Sequence, residues 1–298
     1  MGSRDHFLKR VSEEDLPKLL DVLKKNLPDS IVPYHWILTH LAWRKKIENL
    51  KVDILSPDWT DGSVVCIADK LADDNKIYGV LYAKEDKIDS LARALIHTDL
   101  IDWHRLKQFS SVLERHVTAV AEILKIKGFK HTGDAIENFC HLHYMSVEEA
   151  ANLPLPELPA NVRVAPLDQS HLQIVCDNWR HYDYQYRPVV AKEIELNPTI
   201  GVFVKNEQGE EELASMVLQS EYGAAGLLQT VPKFKRMGYA TIAMAHITRA
   251  LGQKGFMPYG TVLTWNEGSS KLLQKLGFKI LGISTWVYLK KPDEKSDH

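Results

Sequence analysis

The residues best suited to chemistry lie between Gln229 and Ala245, in QTVPKFKRMGYATIAMA. A strand pattern ends at Thr230 and Val231, a turn carrying Lys233, Lys235 and Arg236 follows, and Gly238-Tyr239-Ala240 opens a helix. The first turn of a helix leaves backbone N–H groups unpaired, and the peptide dipoles add positive potential there, so such a start suits a phosphate. Gly238 lets the backbone approach an anion closely, because no Cβ intervenes. A charge-assisted contact of this kind is worth about 1–3 kcal/mol. The same residues also describe an ordinary strand-to-helix turn with a solvated basic face. A second motif, NEGSSKLLQKLGF from Asn266 to Phe278, narrows the choice. Asn266 follows a strand, where it can cap a helix or bond an amide-bearing ligand lying between two strands. The two motifs in this order are more specific than either alone.

Other groups carry less. In Cys140-His141-Leu142-His143, residues two apart share a strand face and could hold a metal, but no second ligand cluster is near in sequence. A core cysteine beside surface histidines is the favoured reading, and no metal is expected. The run Trp179-Arg180-His181-Tyr182-Asp183-Tyr184-Gln185-Tyr186-Arg187 either lines a pocket whose arginines bind a carboxylate, or packs aromatics over a sheet. His171 is open to a structural or a catalytic role.

The elements around these motifs must fit a chain of 298 residues, enough for two domains of about 150. Apolar residues make up 45% and charged residues 26%, an ordinary globular balance. With 37 Lys and Arg against 39 Asp and Glu, the net charge of -2 gives no reason to expect nucleic acid or an anionic membrane as partner. Any bound anion must be held by a local feature. Cys66, Cys140 and Cys176 lie far apart without a C-x-x-C pair, so neither disulfides nor zinc are expected. The N-terminus MGSRDHFLKR lacks an apolar signal region; a soluble protein, cytoplasmic or mitochondrial and monomeric or weakly dimeric, is expected.

Three prolines between Ala150 and Ala160 mark a connector, dividing the chain into 1–150, a linker 151–160, and 161–298. In the second part, strands are predicted at Val162–Ala165, Ile200–Lys205, Glu212–Gln219, Ala224–Thr230 and Tyr259–Thr264, with two more at Phe278–Leu281 and Thr285–Leu289. Helices are predicted from Leu167, capped by Asp168 or Ser170, from Pro188 to Asn197, from Tyr239 to Gly255, and from Glu267 to Leu276. The first part repeats the order. It has a helix with Ser12 as N-cap, strands at Lys51–Leu55, Ser63–Ala68 and Lys76–Ala83, a long helix at Ser110–Ile126, and a strand at Asn138–Met145. KIKGFKHTG in the first part echoes KLGFKILG in the second. A duplicated unit whose first copy has drifted accounts for both observations.

With these motifs in place, the second half resembles a GNAT-superfamily acyltransferase. The turn R/Q-x-x-G-x-G/A is read at Lys235-Arg236-Met237-Gly238-Tyr239-Ala240, and N-x-x-(A/S)-x-x-(L/F)-Y-x-x-x-G-F at Asn266–Phe278. More narrowly, TVPKFKRMGYA and the pattern Ser170-His171, Val175, Trp179 resemble the glycine N-acyltransferase family, as does VDILSPDWTDGSVV at Val52–Val65. The resemblance covers nearly the whole chain. It implies an α/β fold of two tandem GNAT-like units, each a twisted mixed, mostly antiparallel sheet flanked by helices. It also implies a sheet split beside a bulged fourth strand, with an acyl-CoA arm in the split and a small amine as acceptor. Backbone groups of Leu228, Gln229, Thr230 and Val231 would pair with the arm, and N–H groups of Arg236, Met237, Gly238, Tyr239 and Ala240 would hold the pyrophosphate. Lys235, Thr241, Asn266 and Ser270 complete the implied coenzyme A site.

Two positions depart from the family pattern. Its basic glutamate falls on Ala224, so that Glu221 either serves from a shifted register or is an exposed turn carboxylate. Its thiolate-protonating tyrosine falls on Leu273. The first half has no glycine-rich turn in DLIDWHRLKQFSSVLERHV, its assigned counterpart, and is expected to bind no coenzyme A. The resulting expectation is direct N-acylation of a small amine such as glycine from acyl-CoA, with no covalent intermediate. A non-catalytic acyl-CoA binder and a protein N-acetyltransferase are the competing readings.

Overall fold

The computed structural model describes residues 7–72, 75–132, 138–179 and 186–290. These fall into two compact units: one of residues 1–142, 263–265 and 281–298, the other of residues 143–262 and 266–280. The first contains β1 (Lys9–Arg10), α1 (Leu16–Lys25), α2 (Ile31–Arg44), β2 (Lys51–Ser56), β3 (Val64–Asp69) and β4 (Ile77–Tyr82). It continues with α3 (Ile88–Ile96), β5 (Leu106–Leu113), α4 (Glu114–Ile126), β6 (Lys130–His131) and the start of β7 (Phe139–Tyr144). The second contains α5 (Val147–Ala151), β8 (Val162–Ala165), α6 (Leu172–Asn178), α7 (Arg187–Leu196), β9 (Thr199–Lys205), β10 (Glu211–Gln219) and β11 (Ala225–Thr230). It ends with α8 (Tyr239–Gln253), β12 (Tyr259–Leu263), α9 (Glu267–Lys275) and the first residues of β13 (Lys279–Lys290).

Both units run strand, two helices, three antiparallel strands, helix, strand, helix, which is the expected tandem α/β arrangement. In the first unit β4 and β5 pair parallel, from Ile77↔Leu106 to Gly79↔Phe109. The far edge of β5 is taken by β13, Ser284 opposite Leu113 and Tyr288 opposite Gln108. In the second unit the order is β11-β10-β9-β8, all antiparallel. There α8 turns Ile242, Met244, Ile247 and Leu251 into a core with Val202, Val204 and Val217. Burying each large aliphatic side chain contributes about 1.5–3 kcal/mol.

Two of the elements that differ from the sequence reading, β5 and α2, do so for one reason. A segment buried on all sides shows no periodicity. Residues 110–113 are strand and not helix: Gln108–Leu113 is buried at every position, and α4 begins only at Glu114. The helix α2, IVPYHWILTHLAWR, is apolar nearly all round and gives no amphipathic signal. The last two predicted strands are one strand of 12 residues. Helix α1 starts at Leu16 with Asp15 as N-cap, while the Ser12 hydroxyl accepts the Asp15 N–H at 3.1 Å. Residues 99–117, read as the counterpart of the phosphate turn, fall largely on β5 and α4. By element order the counterpart is Ala83-Lys84-Glu85-Asp86-Lys87 between β4 and α3.

Helix α8 lies against α5 at Gly252, where a Cβ would come within 2.4 Å of the Ala151 nitrogen and 2.6 Å of the Ala150 carbonyl carbon. Backbone cannot yield as a side-chain tip does. Gly252→Ala is therefore expected to destabilise the protein by about 1–3 kcal/mol despite the better helix propensity of alanine. Denaturant unfolding would measure it.

Candidate active site

The site is built around β11. This strand is bonded to β10 on one edge: Ser215↔Thr230 and Met216↔Gln229 at one end, Leu218↔Gly226 and Gln219↔Ala225 at the other. Between those pairs Val217 alone faces Leu227 and Leu228, so β11 carries a bulge, and Leu227 adopts a left-handed φ of 51°. On the other side β12 stands close to the start of β11. The Tyr259 hydroxyl donates to the Tyr222 carbonyl at 2.6 Å, and a Cβ at Gly260 would lie 3.1 Å from the Ala225 oxygen. Yet no ladder joins β11 to β12. The edge of Leu228–Thr230 away from β10 thus has no strand partner among the described residues, and these residues are half-buried.

At the end of β11 the Val231 N–H bonds Ala214 O, and Pro232–Phe234 forms a single 3-10 turn. Arg236 and Gly238 then take left-handed φ values of 69° and 85°, and Gly238 caps α8 without a side-chain cap. The N–H groups of Thr241 and Ile242 bond the Gly238 carbonyl. Those of Arg236, Met237, Gly238, Tyr239 and Ala240 make no hydrogen bond among the described residues. Five unpaired donors therefore lie at and just before the positive end of a 15-residue helix. Lys233 pairs with Glu212 and lies 4.9 Å from the Phe234 ring centre. Lys235 and Arg236 are exposed, with no ion pair among the described residues. The turn thus carries five unpaired backbone donors and two exposed basic side chains without an ion pair among the described residues. A Cβ at Gly238 would meet no atom within 4 Å, so it is the left-handed backbone, and not crowding, that favours glycine here.

The remaining implied positions divide. Asn266 caps α9, its side chain accepting the Ser269 N–H at 3.2 Å. Ser270 is turned inward: its hydroxyl lies 3.1 Å from His143 Nε2 and accepts from the Gln274 amide. His143 is fully buried, and so is not the surface histidine expected from the sequence. Among the described residues no cluster of His, Cys, Asp or Glu could hold a metal. His171 Nδ1 accepts the Asp168 N–H at 3.2 Å and closes a capping box, a structural role. Trp179 and Tyr186 rings stand 5.7 Å apart, while Arg180 to Gln185 lie outside the described residues. Leu273 and Ala224 are both buried and apolar.

Glu221 is not an exposed turn carboxylate. It is 2% exposed, in the hairpin between β10 and β11, and its N–H donates to Glu193 Oε1 at 2.9 Å. Glu193 comes from α7 and is completely buried. The Tyr186 hydroxyl bonds Glu221, and Tyr222 and Tyr259 complete the surroundings. One oxygen of each carboxyl, Oε2, has no hydrogen-bond partner among the described residues. Burial first, and the neighbouring Glu221 charge second, push the Glu193 carboxyl well above the usual range; burial also raises Glu221. Glu193 is the residue the sequence reading missed. Its signal was a carboxylate on the same helix face as Val189, Val190 and Ile194, all buried.

Residues 199–287 match the family model described as FR47-like protein. Across 295 residues, 90% of this chain and 93% of the relative, the chain is 23% identical to human glycine N-acyltransferase-like protein 2. A Drosophila protein of known structure covers 95% of this chain and 98% of its own at 19% identity, with a TM-score of 0.78. A tandem GNAT protein from the clavulanic acid biosynthesis pathway covers 96% and 100% at 12% identity and TM-score 0.56. With the last of these the chain shares its fold, a tandem GNAT arrangement.

The carboxyl pair has a measurable consequence. A carboxyl raised in the folded state binds its proton more tightly there than in the unfolded chain. Stability is therefore highest below the ordinary carboxyl range and falls as pH rises through the raised values. Glu193→Gln removes one of the two titrating groups, so the loss of melting temperature between pH 5 and pH 8 should be smaller than in the unmodified protein. Each unit of raised pKa corresponds to about 1.4 kcal/mol, and each kcal/mol to roughly 2–4 °C. Thermal melts at the two pH values check it.

Proposed function

We propose that this chain, a GNAT-superfamily protein similar along its length to the glycine N-acyltransferase-like family, transfers an acyl group from acyl-coenzyme A to a small amine. The observation that carries this reading is the set of five unpaired N–H groups at Arg236–Ala240, set beside the unbonded edge of a bulged strand. These residues fit the donor. The N–H groups and the cations Lys235 and Arg236 would hold its diphosphate, and the free edge of Leu228–Val231 would bond the amides of its arm. The thioester supplies a carbonyl open to nucleophiles and a thiolate that leaves readily. A backbone N–H freed from the ladder at the Leu227–Leu228 bulge would face the developing oxyanion. Positioning then does much of the work, since an amine held in line needs little further activation.

The transfer is direct. All three cysteines are buried, and burial pushes Cys66 up and Cys140 up to about 12, so none is an accessible thiolate. Glu221 is the carboxylate available to take the proton that an ammonium must lose before attack. The buried, apolar Ala224 and Leu273 favour one competing reading, a protein that binds acyl-CoA without turning it over.

Titration calorimetry with coenzyme A should give a salt-sensitive association. Arg236→Ala should weaken it roughly tenfold, about 1.4 kcal/mol. Gly238→Glu should weaken it further, by placing a carboxylate beside the five donors. No heat from coenzyme A or acetyl-CoA would overturn the reading. Binding without thiol release, on any amine including glycine and peptide N-termini, would leave the non-catalytic binder.

A further inference from the structure

We propose that Tyr222 ends the space open to the acyl group and restricts the donor to short acyl chains, acetyl and propionyl, by standing across the point where β11 and β12 part. This rests on the donor placement proposed above, with the diphosphate at Arg236–Ala240 and the arm along Leu228–Val231. That placement sets the reacting carbon at the Leu227–Leu228 bulge and sends the acyl chain on toward the start of β11.

There the space between the strands closes close behind the bulge. The Tyr222 side chain reaches over Gly226, where an added Cβ would lie 3.6 Å from its hydroxyl. The same hydroxyl hydrogen-bonds the side chains of Ser220 and Thr261, so it bridges the hairpin to β12. One residue further, a Cβ at Gly260 would lie 3.1 Å from the Ala225 oxygen and 3.9 Å from Leu273 Cδ1. The Tyr259 ring stands 6.5 Å from the Tyr222 ring, and its hydroxyl donates to the Tyr222 carbonyl at 2.6 Å. Ser220, Ala224, Ala225 and Tyr259 are buried, whereas Tyr222 and Gly226 are half-buried. Tyr222 therefore presents the last surface that a chain entering from the bulge would meet.

The stop is firmly held. The hairpin closes on itself through the Ser220 N–H to the Ala224 carbonyl at 2.8 Å and the Gly223 N–H to the Ser220 carbonyl at 2.9 Å. It is also tied to the end of α7, where Asn197 Nδ2 donates to the Gln219 carbonyl at 2.8 Å and the Gln219 N–H to the Pro198 carbonyl at 2.9 Å. A side chain carried on such a turn does not swing aside without leaving buried hydrogen bonds unmade, which is costly. One residue of strand is about 3.3 Å, and a carbon–carbon bond is about 1.5 Å. From the bulge to Gly226 there is length for about two such bonds beyond the carbonyl carbon. That admits the methyl of acetyl and the ethyl of propionyl, and stops a hexanoyl chain or a benzoyl ring.

Thiol release by the full-length protein, with one amine held fixed and the acyl donor varied, tests the stop. The kcat/KM values should be similar for acetyl-CoA and propionyl-CoA, and lower by roughly tenfold or more for hexanoyl-CoA and benzoyl-CoA. Tyr222→Ala should raise the hexanoyl-to-acetyl ratio by roughly tenfold. Gly226→Ala, whose Cβ finds only ordinary contacts, should lower the propionyl-to-acetyl ratio. Titration calorimetry reads the same order without turnover: the unmodified protein should bind acetyl-CoA more tightly than hexanoyl-CoA. Hexanoyl-CoA used or bound as well as acetyl-CoA, or a folded Tyr222→Ala variant with an unchanged ratio, would overturn the stop while leaving acyl transfer standing. Absence of thiol release with every donor and amine would overturn acyl transfer, and the calorimetric order alone would then decide the stop. No binding of either donor would overturn both.

Discussion

The second unit depends on β11 being bonded along one edge only. β12 is close enough at Gly260 that an added Cβ would lie 3.1 Å from the Ala225 oxygen, yet the two strands share no ladder, and the Leu227–Leu228 bulge turns β11 within its own pairing with β10. A strand in this state keeps a row of unpaid backbone groups, which a compact protein usually pairs or covers. Here that row leads directly into the unpaired amides at the start of α8. The two features make one polar track: the free edge follows from what β11 is prevented from pairing with, and the free amides from the start of a helix. Gly252 contributes from behind, since close approach of α5 is part of what fixes α8 in place.

The track has a polarity. The hairpin before β11 holds Glu221 against Glu193, and the turn after β11 presents Lys235 and Arg236. Six strand residues separate the two ends, roughly 20 Å at 3.3 Å per residue. Acid is buried at one end, where desolvation alters its proton affinity. Base is exposed at the other, where it can meet a diphosphate in water. A donor laid along the strand would have its phosphates at one end and its reacting carbon toward the other.

The first unit shows how little separates such a track from an ordinary sheet. It has the same order of elements, but β4 and β5 pair in parallel, and the residues between β4 and α3 include Glu85 and Asp86 and no glycine. A turn with two lysines balanced by two acids and no left-handed glycine offers an anion neither net positive charge nor backbone access. The last strand of the chain, β13, completes this unit by pairing with β5, so the sequence halves and the compact units are not the same division.

What the sequence by itself determined is what local chemistry specifies: the strand-turn-helix at Gln229–Ala245 with its left-handed Gly238, the cap at Asn266, and the alternating strands β8 to β11. These depend on residues near one another in the chain. Elements buried all round, such as α2 and β5, were not legible, because full burial erases the contrast between faces that periodicity needs. Tertiary structure alone decided that Glu221 is buried, that Glu193 meets it from a residue 28 positions away, and that Ser270 is committed to His143. A carboxyl's proton affinity depends on the groups folded around it, and no spacing along the chain reports which groups those are.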